Sequence, residues 1–322
     1  MRWNEWYDSK MPLIAACAYD LSLQHPAPWK VSIFKVFIAL LFYAFFIAFG
    51  YLVNDYSDRE VDSRAGKVRV VQSLSDCKAI TILVSLFIGG WLALLPYWGD
   101  GVQLFGVVSF AYVANVSYSL PPLRLKERGL IGLVCAAVAQ RVLPVLIIGI
   151  IWQDFHVEII GWAAIGLLVG IRYILIHQFE DMASDKISGV KNFVSKRPTI
   201  IPVLMWVVFI SELFFLLGLV YAISQREPLF TWIACLITIY LISYLSLYRT
   251  YIGKFDLFSY VYVPLEDVYS IFLPVSLLVL LIKADPLWAL LLPIEFLWKY
   301  RCIRQYMALP ARWITSKFSY SR

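Results

Sequence analysis

The chain has 322 residues, of which 61% are hydrophobic and only 16% are Asp, Glu, Lys or Arg, with a formal net charge of +6. A soluble domain of this length runs nearer half apolar and a quarter charged, so a soluble globular protein is excluded. The apolar residues come in long blocks rather than amphipathic stripes, which is the pattern of an all-α, multi-pass membrane protein.

Nine spans are expected, at 11–23, 31–53, 79–98, 102–120, 130–152, 157–177, 199–223, 228–248 and 268–283, with 286–299 as a candidate tenth. The first and last fall short of the roughly 17–25 residues that cross the hydrocarbon layer, so they tilt, thin the bilayer or lie partly in the interface. Within the first, Ile14-Ala15-Ala16-Cys17 superficially resembles a lipoprotein cleavage box. Glu5 and Asp8 stand where a basic region should be, however, and the apolar run before Cys17 is too short. The other cysteines, Cys77, Cys135, Cys235 and Cys302, have no paired spacing, so neither a zinc site nor a disulfide framework follows.

The second span ends in Asn54-Asp55-Tyr56-Ser57-Asp58-Arg59-Glu60-Val61-Asp62. Asp55, Asp58 and Asp62 stand at i, i+3 and i+7, one stripe on a helix. Lys67 and Arg69 follow. In the fourth span Asn115 lies one turn before Tyr118 on roughly the same face, where it could line a cavity. The span must stop at Pro121-Pro122, which presents Arg124, Lys126 and Arg128 near the membrane edge. Gln140-Arg141 falls mid-span in the fifth; Arg141 either pairs with an acid such as Glu212 or faces a polar cavity, since charges inside a membrane default to function. The sixth span carries Arg172, which projects opposite Asp181 on an ideal helix and reads as structural. His177, one turn before Asp181, reads as a hydrogen-bonding neighbour. Glu266 and Asp267 open the ninth span, where the helix dipole favours acids.

The end of the sixth span, His177-Gln178-Phe179-Glu180-Asp181-Met182-Ala183-Ser184-Asp185, echoes the end of the second. Asp58-x3-Asp62-x3-Gly66-Lys67 is matched by Asp181-x3-Asp185-x3-Gly189-x-Lys191, an offset of 123 residues, from 58 to 181. Two four-helix halves of one membrane domain, residues 1–322, would account for that. A single Asp-x3-Asp at a helix end ordinarily marks a solvated surface; two copies with Gly-Lys tails point to a metal. Carboxylates on one face repel by a few kcal/mol unless a cation sits between them. Two such stripes across a cavity make a site for hard divalent ions, Mg2+ above all, shared with phosphate oxygens. A diphosphate, with about three negative charges, leaves readily only when those charges are neutralised. Bridging Mg2+ with Lys67, Arg69, Lys126 and Lys191 would do so, while an isoprenoid tail lies among the helices.

Basic residues cluster on one side of this topology: Arg59, Arg64, Lys67, Arg69 and Lys78, then Arg124, Lys126 and Arg128, then Lys186, Lys191, Lys196 and Arg197, then Arg249 and Lys254. That side is expected to be cytoplasmic, joined by the basic tail at 300–322 if the last stretch crosses. The net charge therefore reads as topology and contact with anionic lipid, not as a nucleic-acid footprint.

With these residues on the page, the chain resembles the UbiA superfamily of membrane prenyltransferases. The likeness rests on Asn54-Asp55-x2-Asp58-x3-Asp62, on Asp181-x3-Asp185, and on the turn Tyr118-Ser119-Leu120-Pro121-Pro122-x-Arg124-x-Lys126, which is similar to that of chlorophyll synthase-like members. It implies about nine helices around a central cavity and Mg2+ held by Asp55, Asp58, Asp62, Asp181 and Asp185. It also implies an isoprenyl diphosphate contacted by Asn54, Lys67, Arg69, Arg124, Lys126 and Lys191, its ionisation, and capture of the cation by a lipophilic or amphipathic acceptor. Asp58, Asp62, Asp181, Asp185 and Lys126 would carry the catalysis, and Asn115 and Tyr118 would line the substrate site. Two departures stand out. Gln178 occupies a position that is often acidic, three before Asp181, and Pro122 replaces the Lys of a Tyr-x3-Lys pair common in members that prenylate aromatic acids. The rival readings are a terpene cyclase on the same scaffold, a phosphoribosyl-type transfer, and, in another class, a transporter, which should bury its acids near the bilayer midplane.

Overall fold

The computed structural model describes residues 6–64, 66, 68–180, 182, 193–197, 199–252 and 265–300, and among these it consists of helices and their connections, with no strand. The helices are α1 (Met11–Gln24), α2 (Trp29–Ser57), α3 (Arg59–Arg64), α4 (Asp76–Ala93), α5 (Val102–Ser119), α6 (Leu130–Trp152), α7 (Val157–Glu180), the short turn α8 (Phe193–Lys196), α9 (Ile201–Arg226), α10 (Pro228–Ile252), α11 (Leu265–Ala284) and α12 (292–300). Seven of the described helices, α2, α4, α5, α6, α7, α9 and α11, are long and apolar enough to cross a membrane. Their outward residues are large and apolar, among them Phe105, Ile160, Val203, Phe214 and Leu217, as lipid contact requires.

The predicted span at 11–23 is a helix of a different kind. Residues Met11 through Ser22 of α1 are all buried, and a helix apolar all round belongs in an interior. Ala15, Ala16, Cys17 and Ala18 let α2, α6 and α11 close on it. Asp20, wholly buried, ties α1 to its neighbours: its carboxylate accepts from Trp162 Nε1 of α7 and from Arg226 Nη2 of α9, both at 2.9 Å. Outside α1, α2 lies along α4, α7 along α9, and α6 along α7.

Prolines shape two of the long helices. α6 contains a π turn at Val138–Val142 before Pro144, and α11 one at Val268–Phe272 before Pro274. A proline inside a helix removes the bond to the carbonyl four residues back and clashes with it, and a π turn accommodates the misfit. The Gln140 carbonyl, which Pro144 cannot serve, accepts from the Tyr43 hydroxyl of α2 at 2.9 Å. The link between α6 and α7 is tied at the opposite end of the bundle from the acidic segments. There Asp154 is buried, accepts from the His156 backbone N–H at 2.8 Å, and bonds His25 Nε2 at 2.6 Å.

Candidate active site at the end of α2

The acidic stripe is built from a helix that breaks and resumes. α2 ends at Ser57, Asp58 takes a non-helical turn with its N–H still bonded to the Asn54 carbonyl, and α3 carries Asp62 onward. Tyr51 extends the stripe inward, one turn before Asp55.

The turn after α5 closes over Asp58. The Pro121–Pro122 peptide is cis and Arg124 is left-handed at φ 40°. Arg128 locks the turn by donating to the carbonyls of Leu123, at 2.6 Å, and Pro122, at 3.2 Å. α6 seats directly against it through Gly132, where a Cβ would stand 2.1 Å from the Leu125 carbonyl oxygen. So placed, Lys126 Nζ donates to Asp58 Oδ1, to Asn54 Oδ1 at 3.2 Å and to Ser57 Oγ at 3.0 Å. Arg124 Nη2 reaches the same Asp58 oxygen at 3.2 Å, and Ser119 Oγ donates to Asn54 Oδ1 at 3.4 Å. The Lys126 side chain is only 13% exposed; burial pushes its amine below the ordinary lysine value, though the Asp58 carboxylate pulls the other way.

Asp62 pairs with Arg69 Nε at 3.3 Å. Asp55 is buried and borders, with Arg69, a cavity of about 220 Å3 whose other walls include Leu52, Val71, Leu74 and Ile82. Asn115 is buried against Gly50, where a Cβ would meet its Oδ1 at 2.7 Å, one turn before Asn54 on α2; Tyr118 is half-buried a turn further on. Asn54, Asp58, Arg124 and Lys126 are thus brought together, with Asp62 and Arg69 as a second pair on the same stripe.

Lys67, Asp181, Asp185 and Lys191 lie outside the described residues, as does the tail from 301. Around the second acidic segment, the helix that leads in and the turn that leads out are described. At the end of α7, Gln178 Oε1 accepts from the Val194 backbone N–H at 3.3 Å, so the neutral residue in this position anchors α8. Lys196 of α8 donates to the Glu127 carbonyl at 3.0 Å. The chain returning from the second segment therefore docks on the very turn whose Lys126 grips Asp58. His177 is 57% exposed on its side chain, with Nδ1 3.9 Å from Glu180. Among the described residues no three acidic, His or Cys side chains converge tightly enough to hold a metal unaided.

The buried charges decide a pairing that the sequence left open. Glu212 belongs to Arg172, not Arg141: Arg172 Nε and Nη2 donate to its two oxygens at 2.9 and 3.0 Å, with both side chains within 1% of full burial. Arg141 instead donates to the Ser9 carbonyl at 3.3 and 3.2 Å and lies 5.3 Å from the Tyr173 ring. Asp267, near the start of α11, is buried and accepts from the Tyr240 hydroxyl at 2.8 Å. Sequence reasoning missed Lys10, which is buried, bonds Gln140 and sits 4.6 Å over the Tyr51 ring. The spacing of Tyr51 to the acidic stripe was its one available signal.

A model of the UbiA prenyltransferase family matches residues 12–255, from α1 through the end of α10. The chain belongs to the UbiA prenyltransferase family. Over 151 residues it is 27% identical to the bacteriochlorophyll synthase 34 kDa chain of Chloroflexus aurantiacus, a match covering 44% of this chain and 45% of that relative, less than half of either. Among solved structures, a UbiA homologue from Archaeoglobus fulgidus bound to DMAPP and Mg2+ superposes with a TM-score of 0.56 at 16% identity, over 86% of this chain and 96% of that one. A digeranylgeranylglyceryl phosphate synthase gives 0.54 at 16% identity, over 86% and 98%. At such identities the likeness establishes the UbiA fold, and the helical bundle described above is that fold.

Proposed function

We propose that this UbiA-family chain is a Mg2+-dependent prenyltransferase of the membrane interior. It takes an allylic isoprenyl diphosphate with the head at the end of α2 and passes the prenyl group to a lipophilic or amphipathic acceptor. The observation that carries this reading is the convergence of Asp58, Asn54 and Ser57 on Lys126, with Arg124 on the same Asp58 oxygen and Asp62 and Arg69 beside them, at one end of the bundle. Relatives solved with DMAPP or GPP and Mg2+ lend it support.

The donor set fits the ion. Asn54, Asp55, Asp58 and Asp62 offer only oxygen, the ligand type Mg2+ prefers alongside substrate oxygens, and Asp181 and Asp185 would complete the set. Mg2+ bound there would neutralise the diphosphate and make it a leaving group. The bond that breaks joins the allylic carbon to the bridging oxygen, and its electron pair leaves with the diphosphate. An electron pair of the acceptor forms the new bond, and a hydroxyl acceptor then loses its proton. Lys126 and Arg124, with Arg69, Lys67 and Lys191, would bind and orient the diphosphate oxygens; the bonds to Asp58 hold the first two in place beforehand, so little reorganisation remains. Asn115 and Tyr118 would line the wall inward of the head. The surplus of Lys and Arg at this end of the sequence-read topology supports a cytoplasmic placement.

The test is incubation of the purified protein with Mg2+ and geranylgeranyl or farnesyl diphosphate, with and without candidate acceptors. Diphosphate release abolished by EDTA is expected, together with an acceptor-dependent product. Absence of release under every combination overturns the proposal, and a cyclised hydrocarbon formed without acceptor would make the chain a cyclase instead.

A further inference from the structure

We infer that the cavity beside Asp55 is the berth of the donor's prenyl chain, sized for the first two isoprene units behind the diphosphate. The inference rests on the reading above that the residues around Asp58, Asp62 and Arg69 hold the diphosphate. Two residues of the cavity wall belong to that head site: Asp55 itself, and Arg69 through its bond to Asp62 at 3.3 Å. Its other walls include Leu52, Val71, Leu74 and Ile82. Leu52 precedes Asp55 by three residues, so α2 offers an aliphatic side chain and then a carboxylate along one face. A space that borders the groups holding a diphosphate, and is otherwise aliphatic, suits the hydrocarbon covalently joined to that diphosphate.

The segment between α3 and α4, which closes the cavity, is fixed in advance. Arg59 of α3 donates to the carbonyls of Gln72, at 3.2 Å, and of Leu74, and to Asp76 Oδ1 at 2.7 Å. The Arg69 backbone N–H bonds Gln72 Oε1 at 3.1 Å, and Val71 is buried. A wall held this way needs little ordering when a chain enters, which favours binding. The size selects the occupant further. An apolar cavity of about 150 Å3 takes a six-carbon ring. At that ratio the 220 Å3 found here takes about nine carbons, close to two five-carbon isoprene units. Any further units of a longer donor leave past Val68 and Val70, which also line the cavity and are 92% and 63% exposed. Apolar side chains so exposed suit contact with lipid.

The test is calorimetric binding of two non-reacting analogues, dimethylallyl and geranyl thiolodiphosphate, to the purified full chain with Mg2+, alongside thermal melting. Wild type should bind the geranyl analogue at least about 10-fold more tightly, the least that one added methylene achieves in an apolar pocket. Ile82→Trp fills the cavity from α4 and should weaken geranyl binding about 10- to 200-fold, while the five-carbon chain, which still fits, stays within about threefold. Ile82→Phe should do the same to a smaller extent. Ile82→Trp/Leu74→Ala, which returns the lost volume from another wall, should recover most of the geranyl affinity. Ile88→Trp, at an exposed position of the same helix, should alter neither. Equal wild-type affinity for the two chains overturns the berth alone, as does a folded Ile82→Trp that keeps geranyl binding or loses both analogues alike. A wild-type chain that binds neither analogue overturns the site reading and the berth with it.

Discussion

Replacing Asp58 by Asn tests the centre of the site. The carboxylate accepts from both Lys126 and Arg124, whose side chains are 13% and 26% exposed, and is itself 19% exposed. Hydrogen bonds to charged groups contribute roughly 1.5–3 kcal/mol each, and partial exposure puts the pair nearer the lower figure. The amide leaves one partly buried ammonium without its counter-charge, so a stability loss of about 2 kcal/mol is expected. The loss to catalysis should be larger, because the cations are then no longer held where the leaving group's charge develops; removing one preorganised electrostatic contact of this kind costs roughly 10²–10³-fold in rate. Burial already depresses the Lys126 amine, and the Asp58 charge opposes that depression. In the variant the amine should therefore lose its proton at lower pH, and residual activity should decline earlier as pH rises. Diphosphate release from geranylgeranyl diphosphate, followed from pH 6 to 10 at saturating Mg2+ with parallel melts, checks both effects. A variant within threefold of wild-type rate, with an unchanged alkaline limb, refutes the reasoning.

Glu60→Ala supplies the contrast, since the Glu60 side chain is 85% exposed and, among the described residues, bonds Arg64 alone, on the same short helix; its rate of diphosphate release should stay within about twofold of wild type. Gly132→Ala would drive a Cβ into the Leu125 carbonyl; overpacking of this kind costs about 1–3 kcal/mol, so the melting temperature should fall and the KM for the prenyl diphosphate rise as the Lys126 turn is displaced. Asp154 gives a pH signature at the far end. Burial works against its charge, but the bonds from His25 and from the His156 N–H outweigh it and hold the carboxyl below the ordinary aspartate value. A carboxyl with a depressed folded value contributes stability above its unfolded value near 3.9 and loses it as pH falls through the folded one. Asp154→Asn should therefore flatten the fall in melting temperature below about pH 4. An equal fall in wild type and variant would show that the contribution lies elsewhere.

The helices and the first half of the site were legible because their signals are local. Blocks of apolar residues predict spans whatever they pack against, and Asp55, Asp58 and Asp62 fall on one stripe by spacing alone. Pro121-Pro122 announced a turn, and the turn does carry Lys126 and Arg124 to Asp58. What resisted reading depends on distant partners. Two arginines, Arg141 and Arg172, and one acid, Glu212, lay in comparable apolar settings, and nothing in their spacing says which arginine the acid meets. The answer comes from α7 lying along α9. Lys10 falls among residues that look like an ordinary polar flank, and its burial follows only from where α1 sits. Asp20 looks like an isolated charge in a short span until Trp162 and Arg226 arrive from helices far along the chain. Gln178 stood out only as a neutral residue in an often acidic position, and its bond to the Val194 N–H gives it a use that its spacing does not announce.

The enclosure of α1 also bears on how the chain is made. Its fourteen residues rise about 21 Å, short of the roughly 30 Å of hydrocarbon, and one wall of its enclosure, α11, emerges from the ribosome more than two hundred residues later. α1 thus waits for a helix made much later, a long-range closure of the sort that slows assembly. Pausing synthesis before residue 265 should leave Cys17 open to a membrane-permeant thiol reagent, and completion of the chain should protect it.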